Sequence, residues 1–516
     1  MPSSELLAVA IVLLSGFFVF KRRKWNARSR GLPPPPSPKG LPFIGNALDV
    51  PTKYEWEVYR RWGDELGSDI VSASALGFSV VVLNKRQLAI ELLEGQSAIT
   101  SSRPNAPMAC DLMGWSYILP LVPYGDEFRS KRKLFHQHFH SGNTSLYRAG
   151  IHQNLPHLLT RLLEDPQDFR QSNTLFMAGT LLKITYGVDD KESTRYYIQL
   201  FEEALAPIIR AAIPGSFLVD IFPVLKYVPE WFPGAGFKRE AREALALSKR
   251  FADEPLNDAL KRMNAGTVET SFISEAHSSA ESQGALDANA FRDIRDIAAS
   301  LFSAGTETTL SSLDYFYLAM TLFPKAQERA HKELDAVLKG ERLADFNDKP
   351  DLPYITAIVK EVLRWQPVVP LGVAHFSTED CVFKGYFIPK NTIIMANQWA
   401  MLRDDAEYPE PEMFKPERFL TPDGQLDGLA PDSESIAFGF GRRICPGDHI
   451  ATSTLFMAIA SILTLFDIKK LQDFDPEREV RLGINRCPTD FRCEIKPRLK
   501  NAHALIQAHA LQHSST

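Results

Sequence analysis

Phe438-Gly-Phe-Gly441-Arg-Arg443-Ile-Cys445-Pro-Gly447 is the stretch around which the rest of this chain is organised. A cysteine sulfur binds metal well only as the anion, and a thiolate persists at neutral pH only beside partial positive charge. Pro446 is pre-set for a first helical position, and the apolar run from Ile450 onward reads as the helix that follows. Cys445 then sits at a helix N-terminus, with unpaired backbone N–H groups aimed at the sulfur. Arg443 adds a fixed cation two residues away, which an anionic group of a ligand or Asp448 can occupy. A lone cysteine is more often a small buried apolar residue than a ligand, so the spacing has to decide.

That spacing is F-x-x-G-x-R-x-C-x-G, and it resembles the haem-binding signature of the cytochrome P450 family, the haem-thiolate monooxygenases. The resemblance implies a mainly α fold with a small β region, haem b lying between a long central helix and the cysteine loop. It implies Cys445 as the axial thiolate and metal ligand, with Phe438, Gly441 and Gly447 forming the loop beneath the ring. Only residues without side chains let a backbone come so close to a flat macrocycle. Arg443 would face a haem propionate.

Upstream, an unbroken helical pattern runs from Asp293 to Phe323 and ends at Pro324, a span of about 46 Å. Ile297, Leu301, Ala304 and Thr308 share one stripe of it. Gly305 costs a helix about 1 kcal/mol relative to alanine, and room for a diatomic ligand would offset that. The Thr308 hydroxyl can bond the Ala304 carbonyl, opening the helix to oxygen and water. Ala304-Gly305-Thr306-Glu307-Thr308 resembles the family's oxygen-side A/G-G-x-D/E-T, which implies Glu307 and Thr308 as the catalytic proton relay and Ala304 and Gly305 beside the haem.

Glu361-Val-Leu-Arg364 and Pro416-Glu-Arg418-Phe419 resemble the family's E-x-x-R and P-E-R-F, a structural Glu-Arg-Arg cluster. Phe128-Arg-Ser-Lys-Arg132 resembles its W-x-x-x-R, so Arg132 inherits a propionate contact, while Phe128 lacks the indole N–H of the usual tryptophan. Val368 to Ala374 is expected as a strand lining the pocket and ending at His375, another propionate partner by resemblance. Leu482 to Pro488 is expected as a second pocket wall. His136, His138 and His140 alternate on a helical pattern, where that spacing does not suit metal, and read as structural. Lys131 and Lys133 are either a solvated face or a docking site for an acidic reductase.

The ends and linkers complete the plan. Leu6 to Phe20 carries no charge and is followed by Lys21-Arg22-Arg23-Lys24, an uncleaved membrane anchor with its basic flank on the cytosolic side. Residues 1–24 are read as the transmembrane anchor, 25–40 as a proline-rich spacer, 41–500 as the haem-thiolate monooxygenase domain and 501–516 as a tail. Ile70–Val71 and Val80–Leu83 read as strands. Ser101 to Pro123 is apolar without a period, either a plain loop or, by resemblance, a cover over the substrate. The proline-broken aromatic patch between Ile213 and Phe237 suits a lid that dips into the membrane, or core packing. Residues 264–289 read as an exposed linker.

A net charge of −5 spread along the chain argues against nucleic acid as a partner, and five scattered cysteines argue against a disulfide framework. The expected protein is a single-pass endoplasmic reticulum membrane enzyme with a cytosolic catalytic domain. By resemblance it oxidises an apolar small molecule with O2 and electrons from a separate NADPH–cytochrome P450 reductase, since no flavin or nicotinamide fingerprint is present. Pro42-Phe-Ile-Gly-Asn46, Trp231-Phe-Pro-Gly and Gly441-Arg-Arg look most like fungal secondary-metabolism members, which suggests terpenoid, polyketide or indole-like substrates. Two rivals are a same-fold enzyme that isomerises or dehydrates peroxides without a reductase, and a haem-binding protein that turns nothing over.

Overall fold

Asp287 starts the longest helix. Its carboxylate accepts from the N–H groups of Asn289 and Ala290 at 2.9 and 2.8 Å, and the helix runs from Ala288 to Leu322. Pro324 ends it and opens the next helix. The 35 residues span about 52 Å. The start lies before the Asp293 that periodicity predicts, because a polar cap and not a buried stripe defines the first turn.

The computed structural model describes residues 23–213, 215–476, 478, 480–481 and 485–513, so the Leu6–Phe20 anchor lies outside the described residues. The helices of eleven or more residues are α1 (Glu55–Leu66), α2 (Asp126–Phe139), α3 (Ser145–Glu164), α4 (Phe169–Tyr186), α5 (Lys191–Ala211), α6 (Gly236–Asn264), α7 (Phe272–Ser282), α8 (Ala288–Leu322), α9 (Pro324–Leu338), α10 (Pro353–Trp365), α11 (Asp448–Leu465) and α12 (Ala502–His513). Around α8 pack α2, α4, α6, α7 and α11. From Thr454 to Leu465 helix α11 is buried all round and correspondingly apolar; among the described residues it alone is long and apolar enough to cross a membrane, and it is a core helix.

The strands are β1 (Ile70–Ala75), β2 (Phe78–Leu83), β3 (His375–Phe376), β4 (Cys381–Phe383), β5 (Tyr386–Ile388), β6 (Thr392–Ala396), β7 (Phe466–Lys470), β8 (Val480–Arg481), β9 (Cys487–Pro488) and β10 (Cys493–Pro497). The main sheet has the order β1-β2-β6-β3, with Ile70 opposite Leu83 and β2 parallel to β6. The two β-branched runs thus form the expected pair.

Four expectations need correction. Residues 368–374 are turns, because Pro370 has no N–H for a ladder and Gly372 has φ +63°; the strand begins only at His375. The polar segment 264–289 contains α7, which Ser271 and Ser274 cap reciprocally and which buries Phe272 and Ile273. The proline segment is no free spacer, since Pro33 and Pro36 accept from the N–H groups of Phe387 and Ser72 at 2.8 and 2.7 Å, and Trp25 meets Phe387 edge-on at 5.2 Å. The tail contains α12, which buries Leu505, Ile506 and His509 against α3.

The Glu-Arg-Arg cluster lies inside the protein, where its i,i+3 pair is no surface bridge. Both Glu361 and Arg364 have 0% side-chain exposure. Glu361 Oε2 accepts from Arg364 Nε at 2.7 Å, and Oε1 accepts from the Lys415 N–H at 2.7 Å and from Arg418 Nε at 3.1 Å. Arg364 donates onward to the carbonyls of Leu402 and Met413 at 3.0 and 3.1 Å, tying α10 to the chain that leads into the cysteine loop. Removing one partner of such a buried pair strands the other charge, at a cost of about 3–5 kcal/mol. Glu361→Gln is therefore expected to lower unfolding stability by about that amount in chemical denaturation, and a loss within experimental error would show that the cluster does not brace the fold.

Candidate functional site

The cysteine loop closes on itself before it meets anything else. The Cys445 N–H donates to the Phe438 carbonyl at 2.8 Å, so the residues between form a hairpin-like turn. Gly441 makes that turn possible, with φ +61° and a position where a Cβ would lie 2.5 Å from the Leu93 carbonyl oxygen. Helix α11 begins at Asp448 with Gly447 as its cap, so Pro446 precedes the cap and is not the first helical residue. The Gly447 N–H still reaches the sulfur and favours its anion, but burial outweighs it and pushes the Cys445 thiol up to about 11. A sulfur in this balance becomes a thiolate when a metal cation joins it.

Arg443 does not pair with Asp448. Its Nε donates to the Ser101 carbonyl at 2.6 Å, one terminal nitrogen donates to the Val122 carbonyl at 2.7 Å, and its plane lies 3.7 Å over the Phe128 ring. The remaining nitrogen, Nη1, is buried without an acceptor. Phe128 therefore serves as a platform for the arginine, a role that needs no indole N–H. Arg132 donates to the Ile444 carbonyl at 2.6 Å, and His375 donates from Nδ1 to the Thr100 carbonyl at 3.0 Å. Arg103, which sequence reading missed, donates to the carbonyls of Pro120, Val373 and Ala374 at 2.6–2.8 Å. The one signal for it is a lone cation, Ser102-Arg103-Pro104, entering an apolar stretch.

All four of these groups line a single cavity, together with Cys445. Burial and mutual repulsion push Arg443 down to about 10 and Arg103 down to about 9, and with both nearby the buried His375 falls to about 3. No carboxylate is among the described lining residues. A soft sulfur, an orphaned buried Arg443 nitrogen and uncompensated cations above an apolar floor fit a flat, dianionic, iron-bearing group.

Helix α8 supplies another part of the wall through Ala304, Gly305 and Thr308. The Thr308 hydroxyl donates to the Ala304 carbonyl at 2.7 Å, the bond its spacing predicts. Gly305 has a second reason to be glycine: a Cβ there would lie 2.9 Å from Leu181 Cδ1 of α4, so close helix packing contributes alongside any space for a ligand. Glu307 is not among the lining residues. Its carboxyl lies behind the helix with Asn485 and Arg481, where burial raises its pKa against the Arg481 charge. Val368, Val369, Leu371 and Val373 line the cavity although they form turns, whereas none of the described residues between 482 and 488 does.

Around the mouth, Lys131 is fully buried and paired with Glu127 and with Asp296 at 3.1 Å, so it is a core cation and not a docking residue. Arg129, Lys133 and Arg442 are exposed on that face. The His136 and His140 rings lie 5.4 Å apart at the end of α2, tilted by 41°.

A family model described as Cytochrome P450 matches residues 35–489. Similar chains include the "Cytochrome P450 monooxygenase ple1" of Rhodocybe pseudopiperita, 41% identical over 92% of this chain and 91% of that one. The "Cytochrome P450 monooxygenase COX2" of Coprinopsis cinerea is 39% identical over 93% and 92%, respectively. The "Tryptamine 4-monooxygenase" of Psilocybe cyanescens is 36% identical over 96% and 98%.

The turn geometry has a direct test. Gly441→Ala meets a backbone oxygen and adds about 1–2 kcal/mol of left-handed strain, so the fraction of chains that take up haem is expected to fall sharply. Gly447→Ala, whose nearest atom outside its chain neighbours would be the Cys445 sulfur at 4.0 Å, is expected to leave the melting temperature of the haem-free protein unchanged. Equal haem uptake by Gly441→Ala and wild type would remove the constraint on the loop.

Proposed function

This chain belongs to the cytochrome P450 family, and from that premise we propose that it is a membrane-anchored haem-thiolate monooxygenase that oxidises an apolar small molecule of fungal secondary metabolism. The observation that carries the reading is one cavity whose wall holds both Cys445 and the Ala304–Thr308 step of α8. When bound, haem supplies the activation of O2, one atom entering the substrate and the other leaving as water.

The protein's own residues do the rest. Cys445 Sγ would hold the haem iron, its anion helped by the Gly447 N–H. Arg132 and Arg443 would hold the propionates, which would give the orphaned Arg443 nitrogen the acceptor it lacks; His375, whose Nδ1 proton is on the Thr100 carbonyl, would join them through Nε2 once the propionate charge stabilises its imidazolium. Thr308 releases the Ala304 carbonyl and turns its hydroxyl proton into the cavity. Glu307, behind the same helical turn, replaces that proton, a task that its raised pKa favours. Apolar walls keep other water away from the reacting atoms, so protons arrive by this route.

The substrate is proposed to be terpenoid, polyketide or indole-like; the Leu119, Leu301, Val369 and Leu371 side chains suit a greasy molecule, and one relative is named for a monooxygenase of tryptamine. Exposed Leu218, Val224, Tyr227 and Trp231, the last with 80% of its surface free, support the lid that dips into a bilayer over the core-packing alternative. The Leu6–Phe20 segment anchors the chain in the endoplasmic reticulum membrane with the domain in the cytosol. Arg129, Lys133 and Arg442 receive the acidic face of NADPH–cytochrome P450 reductase.

Incubating the purified enzyme with a panel of such scaffolds tests the assignment: product is expected only with both reductase and NADPH. Turnover without them would indicate a peroxide isomerase or dehydratase, and no product from any scaffold a haem-binding protein. Thr308→Ala is expected to lower product formed by about 10²-fold, the low end for a positioned proton donor, while NADPH oxidation continues and peroxide accumulates; unchanged coupling would exclude Thr308 from the relay. Deleting residues 1–30 is expected to shift the protein from the membrane to the soluble fraction with haem uptake preserved, and retention on membranes would rule out the segment as the main anchor.

A further inference from the structure

We propose that His152, His509 and His513, joined by Asp345, form a second metal site, taking a zinc-like divalent cation that staples the C-terminal helix to the body of the domain. One donor nitrogen from each ring lies within 4.8 Å of the others. His152 Nδ1 and His509 Nε2 are 3.2 Å apart, and Asp345 Oδ2 lies 3.6 Å from His152 Nε2 and 3.8 Å from His513 Nε2. Tetrahedral zinc with bonds of about 2.0–2.1 Å holds its donor atoms about 3.3–3.4 Å apart; the His152 Nδ1–His509 Nε2 pair already has that spacing, while Asp345 meets the other His152 nitrogen and has to swing toward the three imidazoles to become the fourth ligand. Three imidazoles and one carboxylate are a set that favours zinc over calcium or magnesium.

Three features distinguish this cluster from histidines that simply fill space. His509 and His513 stand four residues apart on one face of α12, the spacing by which a helix presents two ligands to one ion. Asp345 is oriented from behind: its Oδ1 accepts the Asn347 N–H at 3.0 Å, while its own N–H donates to Asp348, which Arg342 grips at 2.5 and 2.7 Å. Such outer contacts narrow the range of directions a ligand can take before metal arrives. The rings of His152 and His509 are also buried, where apolar side chains would pack with less desolvation.

Two features oppose binding. The rings of His152 and His513 stack in parallel at 3.7 Å, so they must turn until their lone pairs converge on one centre. Arg148 lies 4.6 Å over Phe346, beside the site, and repels a cation, which makes the Asp345 carboxylate necessary. None of the four residues lines the cavity around Cys445, so the two sites can be emptied independently. A bound cation would join α3 to α12 across 357 residues of chain and stabilise the folded state alone.

The test uses the full-length, haem-loaded protein without a histidine tag, stripped with a chelator and titrated with zinc chloride in a calorimeter. One zinc per chain is expected, with a rise in melting temperature. His509→Ala/His513→Ala is expected to weaken binding at least 100-fold with the haem spectrum unchanged, and Asp345→Asn to weaken it about 10–100-fold. Zinc K-edge absorption on the wild type keeps the idea testable if the variants fold poorly: four light ligands with imidazole scattering at about 2.0–2.1 Å are expected. No stoichiometric zinc uptake, equal uptake by the double variant, or six oxygen-like ligands without imidazole scattering would each overturn the proposal.

Discussion

Three guanidinium groups, from Arg103, Arg132 and Arg443, converge on one cavity whose described lining residues include no carboxylate. Like charges brought out of water repel one another and lose hydration, so such an arrangement is costly unless an anion shares it. The backbone carbonyls of Ser101, Pro120, Val122, Val373, Ala374 and Ile444 accept from all three arginines. They carry only partial charge, and one Arg443 nitrogen still has no acceptor. An uncompensated positive cluster around a sulfur is the constraint that organises the site, and the dianionic haem of the family is the group that would relieve it.

Holding those cations in place is the work of the surrounding architecture. Each arginine reaches across the chain to a segment remote in sequence, so the site exists only when the sheet, α2 and the cysteine loop are docked together. The Glu361–Arg364–Arg418 cluster joins α10 to the segment preceding the loop, and α11 follows the loop as a core helix buried from Thr454 to Leu465. The cysteine is thus gripped from both sides of the chain, which suits a ligand that must keep one orientation through turnover. Helix α8 runs unbroken past Thr308, by contrast, and the hydroxyl-to-carbonyl bond there is easily exchanged.

Residue patterns announce a feature when its cause is local. The cysteine loop, the Thr308–Ala304 bond and the β1–β2 pair are legible because spacing, hydroxyl reach and β-branching act within a few residues. Turn residues misled where Val368–Ala374 has the composition of a strand but Pro370 and Gly372 deny it a ladder. Polar composition hid α7, whose buried face is only Phe272, Ile273 and Ala276. Lys131 belongs to a charge run in sequence and to a buried ion pair in space, because its partner Asp296 comes from α8.

What the sequence by itself determined was the family, the cysteine ligand candidate and the order of the helices around it, since these follow from side chains at short, regular spacings. Only the tertiary structure decided that Arg103 joins Arg132 and Arg443 around the cavity, that Gly305 packs under Leu181, and that Glu307 lies behind the helix wall. It alone gathered His152 with His509 and His513. These are meetings between residues tens to hundreds of positions apart, and no local spacing encodes them: they arise from how whole helices pack.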